Sequence, residues 1–269
     1  MSSRVIFYYQ TFTGLKPILT SKPNVTHIHL SSLHFCTGKD GKPYIHLNDM
    51  CPDDPKFKEV WADLEKAYDL GIKIVVMIGG AGGGYASLFE DYEAAYCLLQ
   101  KFLSHRIITG IDLDIEEMVA LDDVRRLIRD VKRDYPRFTI AMAPIQSSLQ
   151  TDEPGMGGFV YKDLLRTAEG KQIDYFNGQF YSDFSEEAYD QVIKNGYPPN
   201  KVVMGSMNGS GSVTTVSSLA KKYKEFGGVF SWEYSDTSPS PADWAKTMSA
   251  VMDNSVMNSL MWFPWLCML

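Results

Sequence analysis

Eight short apolar, β-rich runs recur along the chain, separated by stretches of helical spacing, and this alternation leaves few folds open. The runs are Val5–Gln10, His27–Phe35, Lys73–Gly79, Gly110–Glu116, Thr139–Pro144, Tyr175–Tyr181, Lys201–Ser206 and Gly228–Tyr234. Most are continuously hydrophobic, the pattern of strands covered on both faces of a parallel sheet. Between them, Phe57, Val60, Trp61, Leu64, Ala67 and Tyr68 repeat at helical spacing from Pro55 to near Gly71. Tyr92, Ala95, Tyr96, Leu99 and Phe102 form a second such stripe, and Val124, Leu127, Ile128 and Val131 a third that stops before Pro136. Further helices are expected over 159–168, 186–195, 215–226 and 241–253, while the 11–24 connection has room only for a short turn around Leu15–Leu19. Eight strands with crossover helices in 269 residues fit a closed barrel, since such domains typically run to about 250 residues. The expected fold is therefore α/β, a single-domain (β/α)8 TIM barrel over residues 1–269, with no linker or repeat dividing it.

A net charge of −7 excludes the clustered basic surface that nucleic acid requires. The dilute basic run from Arg125-Arg126 to Lys132-Arg133 falls on a helix pattern and reads as a solvated face. No run of about 18 apolar residues suggests a membrane span. Met1-Ser-Ser-Arg leads straight into Val5-Ile-Phe-Tyr-Tyr, so no secretory leader is read there, and the compartment stays open. Cys36, Cys51, Cys97 and Cys267 lack metal-like spacing; buried thiols are expected, although the spacing also permits a Cys36–Cys51 bridge across one loop. Two glycosylation tripeptides, at Asn24 and Asn208, carry little weight alone. The apolar tail 257–269, with Met261, Trp262, Phe263, Trp265 and Leu266, is expected to pack across the base of the barrel, a dimer contact or exposed patch being the alternatives.

In a barrel of this kind chemistry sits at the C-terminal ends of the strands. The segment Thr109-Gly-Ile-Asp112-Leu-Asp114-Ile-Glu116 meets that rule. Strand alternation points Asp112, Asp114 and Glu116 to one face and Ile111, Leu113 and Ile115 to the other. The apolar set suits the helical layer, so the acids must line the barrel, with Glu116 at the mouth. Stacked carboxylates cannot all ionise cheaply, so Glu116 is expected to stay protonated near neutral pH, as a general acid requires. No histidine lies nearby in sequence to suggest a metal site. The glycine run 79–84 lacks the Lys-Ser/Thr ending of a phosphate loop and reads as a flexible substrate-binding loop at the mouth. On the first strand, either Phe7 and Tyr9 or Tyr8 and Gln10 face inward.

The acidic strand resembles the DxxDxDxE signature of glycoside hydrolase family 18, with Thr109 where the first acid usually stands. Four further segments match in the family's order. Val75-Val-Met-Ile-Gly-Gly80 resembles the third-strand SxGG motif with Met77 in place of serine, and Ala141-Met-Ala-Pro144 the fifth strand. Gly178-Gln-Phe-Tyr181 resembles the sixth strand of compact plant-type (class III-like) chitinases, and Gly227-Gly-Val-Phe-Ser-Trp232 the eighth. The resemblance implies a retaining hydrolysis in which the substrate's own 2-acetamido oxygen attacks the anomeric carbon. Glu116 would be general acid and then base, Asp114 would hold the acetamido N–H, and Asp112 would share a proton with Asp114. Tyr181 would orient the acetamido oxygen and Trp232 would floor the sugar. Gln179, Gly80, Met142 and Tyr85 are further substrate-binding candidates, Tyr85 as a stacking residue and Met142, with Met204, as pocket wall. Chitin or N-acetylglucosamine oligosaccharides are the implied partner, through an open cleft, with neither metal nor organic cofactor. An endo-β-N-acetylglucosaminidase acting on N-glycan cores and a non-catalytic chitinase-like lectin are the alternatives.

Overall fold

The structure, a computed structural model, describes residues 3–260, with side chains placed for residues 3–253. Its strands are β1 (Arg4–Tyr9), β2 (His27–Thr37), β3 (Pro43–Leu47), β4 (Lys73–Gly79), β5 (Ile108–Asp114), β6 (Thr139–Met142), β7 (Tyr175–Gln179), β8 (Val202–Met207) and β9 (Gly228–Trp232). All but β3 are parallel and follow one another around a closed ring, β9 pairing back onto β1. The eight expected runs thus become the eight staves of a (β/α)8 barrel.

Alternation along each strand sorts the side chains into two cores. Val5, Phe7 and Tyr9 of β1, Ile111 and Leu113 of β5, and Ile140 and Met142 of β6 face the surrounding helices. Ile6, Tyr8, Met77, Ala141, Tyr175, Val203 and Phe230 fill the barrel interior. Tyr8 is therefore the inward tyrosine of β1, which settles the parity that pattern alone leaves open.

The helices are α1 (Lys58–Asp69), α2 (Tyr85–Glu90), α3 (Tyr92–Leu103), α4 (Leu121–Asp134), α5 (Gln146–Gln150), α6 (Tyr161–Leu165), α7 (Glu186–Lys194), α8 (Val213–Lys222) and α9 (Pro241–Leu260). Helix α4 shows why they form: Val124, Leu127, Ile128 and Val131 make one buried stripe, and each such side chain contributes about 1.5–3 kcal/mol on burial. The opposite face carries the basic run, neutralised by Asp122 and Glu169 at Arg125, Glu93 at Arg126, and Asp130 and Asp134 at Arg133. Ser185 and Ser212 cap α7 and α8 by accepting the Ala188 and Thr215 N–H groups. The 11–24 connection holds a single 3-10 turn, Lys16–Ile18.

Three expectations need correction. Strand β3 is an addition: β2 runs past the barrel rim and doubles back antiparallel through Asp40-Gly41, with Gly41 at φ +76°. The 159–168 helix shortens to α6, and the chain turns again at Gly170–Gln172, where a Cβ at 170 would strike the Leu164 carbonyl, so glycine is needed. The thiols are not buried: Cys51 and Cys97 are exposed, Cys36 is half-buried, and all three are free. Residue Cys267 and the tail packing expected for 257–269 lie outside the described side chains. Among the described residues, no helix is long and apolar enough to cross a membrane.

Candidate active site

Strand β5 delivers its carboxylates as alternation requires. Ile111, Leu113 and Ile115 are buried against the helical layer, while Asp112 and Asp114 are buried inside the barrel at 0% and 5% exposure. Glu116 stands two residues beyond the strand end, half-buried at the C-terminal mouth. Among the described residues no protein hydrogen bond ties its carboxylate down.

Asp112 is held tightly. Its Oδ2 accepts from the Tyr8 hydroxyl at 2.6 Å and from Asn177 Nδ2 at 3.2 Å, and lies 2.7 Å from His29 Nδ1. Asn177 also donates to the Tyr8 hydroxyl at 2.8 Å, closing the ring of contacts. The second oxygen, Oδ1, is buried without a hydrogen-bond partner.

Asp114 accepts one bond, from Gln179 Nε2 at 3.3 Å, and Gln179 is itself fixed by donating to the Ala143 carbonyl at 2.8 Å. Burial, then the charges of Glu116 and Asp112, hold the Asp114 carboxyl well above the usual carboxylate range. No hydrogen bond joins Asp112 to Asp114; their interaction is through space, and the direct sharing expected from sequence gives way to the His29–Tyr8–Asn177 cradle. The backbone closes in from β4: the Gly80 N–H donates to the Asp114 carbonyl at 2.8 Å. A Cβ at Gly79 would lie 2.4 Å from that carbonyl, at φ +92°, so glycine is required for this approach.

Tyr181 follows β7, edge-on to Phe230 with ring centroids 6.2 Å apart. The ring is 39% exposed towards the opening, and desolvation followed by Asp114, Glu116 and Asp112 keeps its hydroxyl protonated. Trp232 ends β9 half-buried, 5.3 Å from the Tyr8 ring, on top of the interior cluster. Its neighbour Glu233 is buried and ties the end of β1 to the end of β9, accepting from the N–H groups of Gln10, Thr11 and Ser235 and from the Ser235 hydroxyl.

Three candidates fall away. Tyr85 is 1% exposed and donates to the Ile78 carbonyl at 2.8 Å; it begins α2 as a core residue and cannot stack on a sugar. Met142 is fully buried and faces the helices, as does Met204, because the inward positions of β6 belong to Ala141 and Ala143. Three residues of the Asp112 cradle escape a reading of sequence motifs. Asn177 was within reach, two residues before Gln179 on the same strand face, and His29 alternates with Ile28 and Leu30 in an otherwise apolar run. A groove of about 870 Å³ also opens on the outer face between α1, α3 and β3, lined by Trp61, Phe102 and Tyr44, and holds none of these acids. No group of three or more histidine, cysteine or acidic side chains among the described residues is placed to hold a metal.

A buried carboxyl, an untethered second acid, a phenol and an indole gathered at the C-terminal ends of the strands of a closed barrel suit glycoside hydrolysis. No protein-family model matches the chain. A fungal endo-β-N-acetylglucosaminidase of glycosyl hydrolase family 18 superposes with a TM-score of 0.80 at 31% identity, over 92% of this chain and 97% of that one. The chitinase ChiC of Aspergillus fumigatus superposes with a TM-score of 0.81 at 30% identity, over 93% and 99%. Chitinase 2 of Rhizopus oligosporus is 29% identical over 78% of this chain, which spans 44% of that relative's length. The chain belongs to glycoside hydrolase family 18, and it is a chitinase-like glycoside hydrolase.

Proposed function

We propose that the protein cleaves β-1,4-linked N-acetylglucosamine polymers or oligomers with retention of configuration, using the substrate's 2-acetamido group as nucleophile. The observation that carries this reading is the division of labour along one strand: Asp114 lies buried inside the barrel on the Gln179 amide, while Glu116 stands unfastened at the mouth. Glu116 protonates the leaving oxygen as the acetamido oxygen attacks the anomeric carbon, breaking the glycosidic bond and closing an oxazolinium ring. The same carboxylate then removes a proton from the water that reopens the ring. An Asp114 oxygen accepts the acetamido N–H, which turns the acetamido oxygen towards the anomeric carbon. Tyr181 donates to the acetamido oxygen, and Trp232 lies under the pyranose. Gln179 and the Gly80 backbone hold Asp114 in place.

Two solved relatives of nearly equal likeness carry the names chitinase and endo-β-N-acetylglucosaminidase, so cleavage of N-glycan cores is the second reading. A lectin reading is disfavoured by the retention of Glu116, Asp114 and Tyr181 together. Mass spectrometry of a chitin oligosaccharide and an N-glycan incubated in parallel tests the proposal. Cleavage of the chitin oligosaccharide supports it; release of the N-glycan alone moves the protein to the second reading, and binding without turnover makes it a lectin.

A further inference from the structure

This inference rests on the functional reading above. Across the sheet from Asp112, in register on β4, stands Met77, where the related motif carries serine. A thioether has no proton to give, so every donor to Asp112 comes from another strand: Tyr8 from β1, His29 from β2 and Asn177 from β7. All three meet one oxygen. His29 differs from the other two because it is wholly buried and engaged on both sides: its Nε2 lies 3.1 Å from the Tyr175 hydroxyl.

Tyr175 sets which nitrogen carries the ring proton. Its hydroxyl is buried, makes no other hydrogen bond among the described residues, and keeps its proton because burial and then the Asp112 charge oppose ionisation. Asp112 Oδ2 accepts, so the Nδ1–H tautomer suits both contacts: Nδ1 donates to Asp112 and Nε2 accepts from the Tyr175 hydroxyl. We propose that His29 is a positioning residue for catalysis: locked in one tautomer by Tyr175, it donates to Asp112 and fixes that carboxylate in place below Asp114. The negative charge of Asp112 then favours the proton on Asp114. In this chain the histidine supplies what position 77 cannot.

The titratable groups around Asp112 are known from each element that surrounds it. Tyr8 and Arg4 come from β1, with the Arg4 guanidinium 4.3 Å over the Tyr175 ring, and His27 and His29 from β2. Asp114 and Glu116 follow along β5, and Tyr175 and Tyr181 lie on and after β7. Tyr85 and Tyr161 feel Asp112 from the helical layer. On β4, β6, β8 and β9 the inward neighbours are Met77, Ala141, Val203 and Phe230, none of which titrates. His27 is kept neutral by burial, so it does not substitute for His29 as a charge partner.

The test compares His29→Asn with His29→Gln in the full chain. An asparagine amide reaches the place of Nδ1 and serves Asp112; a glutamine amide reaches the place of Nε2 and serves Tyr175. With a chitin tetrasaccharide, the glutamine variant should lose about ten- to a hundredfold in kcat while KM moves less than about threefold. Its acid limb should rise by about one pH unit, because a carboxylate stripped of a donor takes its proton at higher pH. The asparagine variant should keep the wild-type limb. Tyr175→Phe, which unlocks the tautomer, should shift the limb in the same direction by less. Equal losses in the asparagine and glutamine variants with an unmoved limb would mean a purely structural histidine and would overturn the proposal.

The ¹³C carboxyl resonance of Asp112 reads the same property without turnover. It should titrate at higher pH in the glutamine variant than in wild type; an Asp112 resonance indifferent to His29→Gln overturns the inference. A wild-type protein that leaves the tetrasaccharide intact overturns the functional reading instead, and the resonance still decides the role of His29.

Discussion

The Glu117 carboxylate accepts the Tyr85 N–H at 2.6 Å, so the acid next in sequence to Glu116 fastens the end of the glycine loop. Gly83 packs against the same carboxylate, and His34 Nδ1 lies 3.0 Å from the Gly83 carbonyl on the loop's other side. Two adjacent glutamates thus have separate tasks, one open to a ligand and one clamping the backbone that borders Asp114.

Removing the clamp should separate those tasks. Glu117→Ala is expected to lower stability by about 1 kcal/mol, the worth of one partly exposed hydrogen bond to a charged group. It should also raise KM several-fold by loosening residues 80–84. Denaturant unfolding with steady-state kinetics checks this: the loop assignment fails if KM stays at the wild-type value.

Asp114 links stability to pH with a definite sign. Its folded carboxyl holds its proton well above the unfolded value, so the unfolded chain ionises first as pH rises, and the folded state is penalised increasingly. The penalty is absent below the unfolded carboxyl value of about 3.9 and grows as pH climbs above it. Asp114→Asn should therefore match wild type in acid and be at least as stable near neutrality, while losing about 100-fold or more in kcat. Thermal melts across pH test the first half; a variant that is less stable only at neutral pH contradicts it.

The two tyrosines flanking the site should behave oppositely. Tyr85→Phe removes the buried bond to Ile78 and should cost about 1 kcal/mol with kinetics nearly unchanged. Tyr181→Phe has no protein hydrogen bond to lose among the described residues, and should keep its melting temperature while kcat falls. Melting curves and turnover of the same two preparations show whether that pairing holds.

Met142 offers a check on the direction of β6. As a fully buried side chain facing the helices, its truncation to alanine should destabilise by about 2–5 kcal/mol. Activity per folded molecule should remain close to wild type. A large change in KM with stability intact would return Met142 to the pocket wall.

The barrel was legible because its strands are short, apolar and bounded by helices with clean stripes, such as Val124, Leu127, Ile128 and Val131. The acid stack was legible because period-two alternation is rigid: Asp112, Asp114 and Glu116 cannot face the side that Ile111, Leu113 and Ile115 occupy. Met142 and Tyr85 lie in the core for different reasons. Met142 sits one step of register from the inward Ala141, whereas Tyr85 follows the glycine loop but starts α2 with its hydroxyl on the Ile78 carbonyl. The cradle of Asp112 was hidden because Tyr8, His29 and Asn177 meet only through barrel closure, from strands 104, 83 and 65 residues distant in sequence. Strand β3 could have been found from its Asp40-Gly41 turn, a short hairpin signal between two apolar runs.

The central claim is that Glu116 delivers the proton while the substrate supplies the nucleophile. Following the anomeric protons of a chitin tetrasaccharide by NMR, with wild type and Glu116→Gln side by side, tests it most directly. The account predicts that the first product from wild type is the β-anomer, which then mutarotates, and that the glutamine variant forms product at least about a thousandfold more slowly. Early α-anomer from wild type, or turnover by the variant near the wild-type rate, would contradict it.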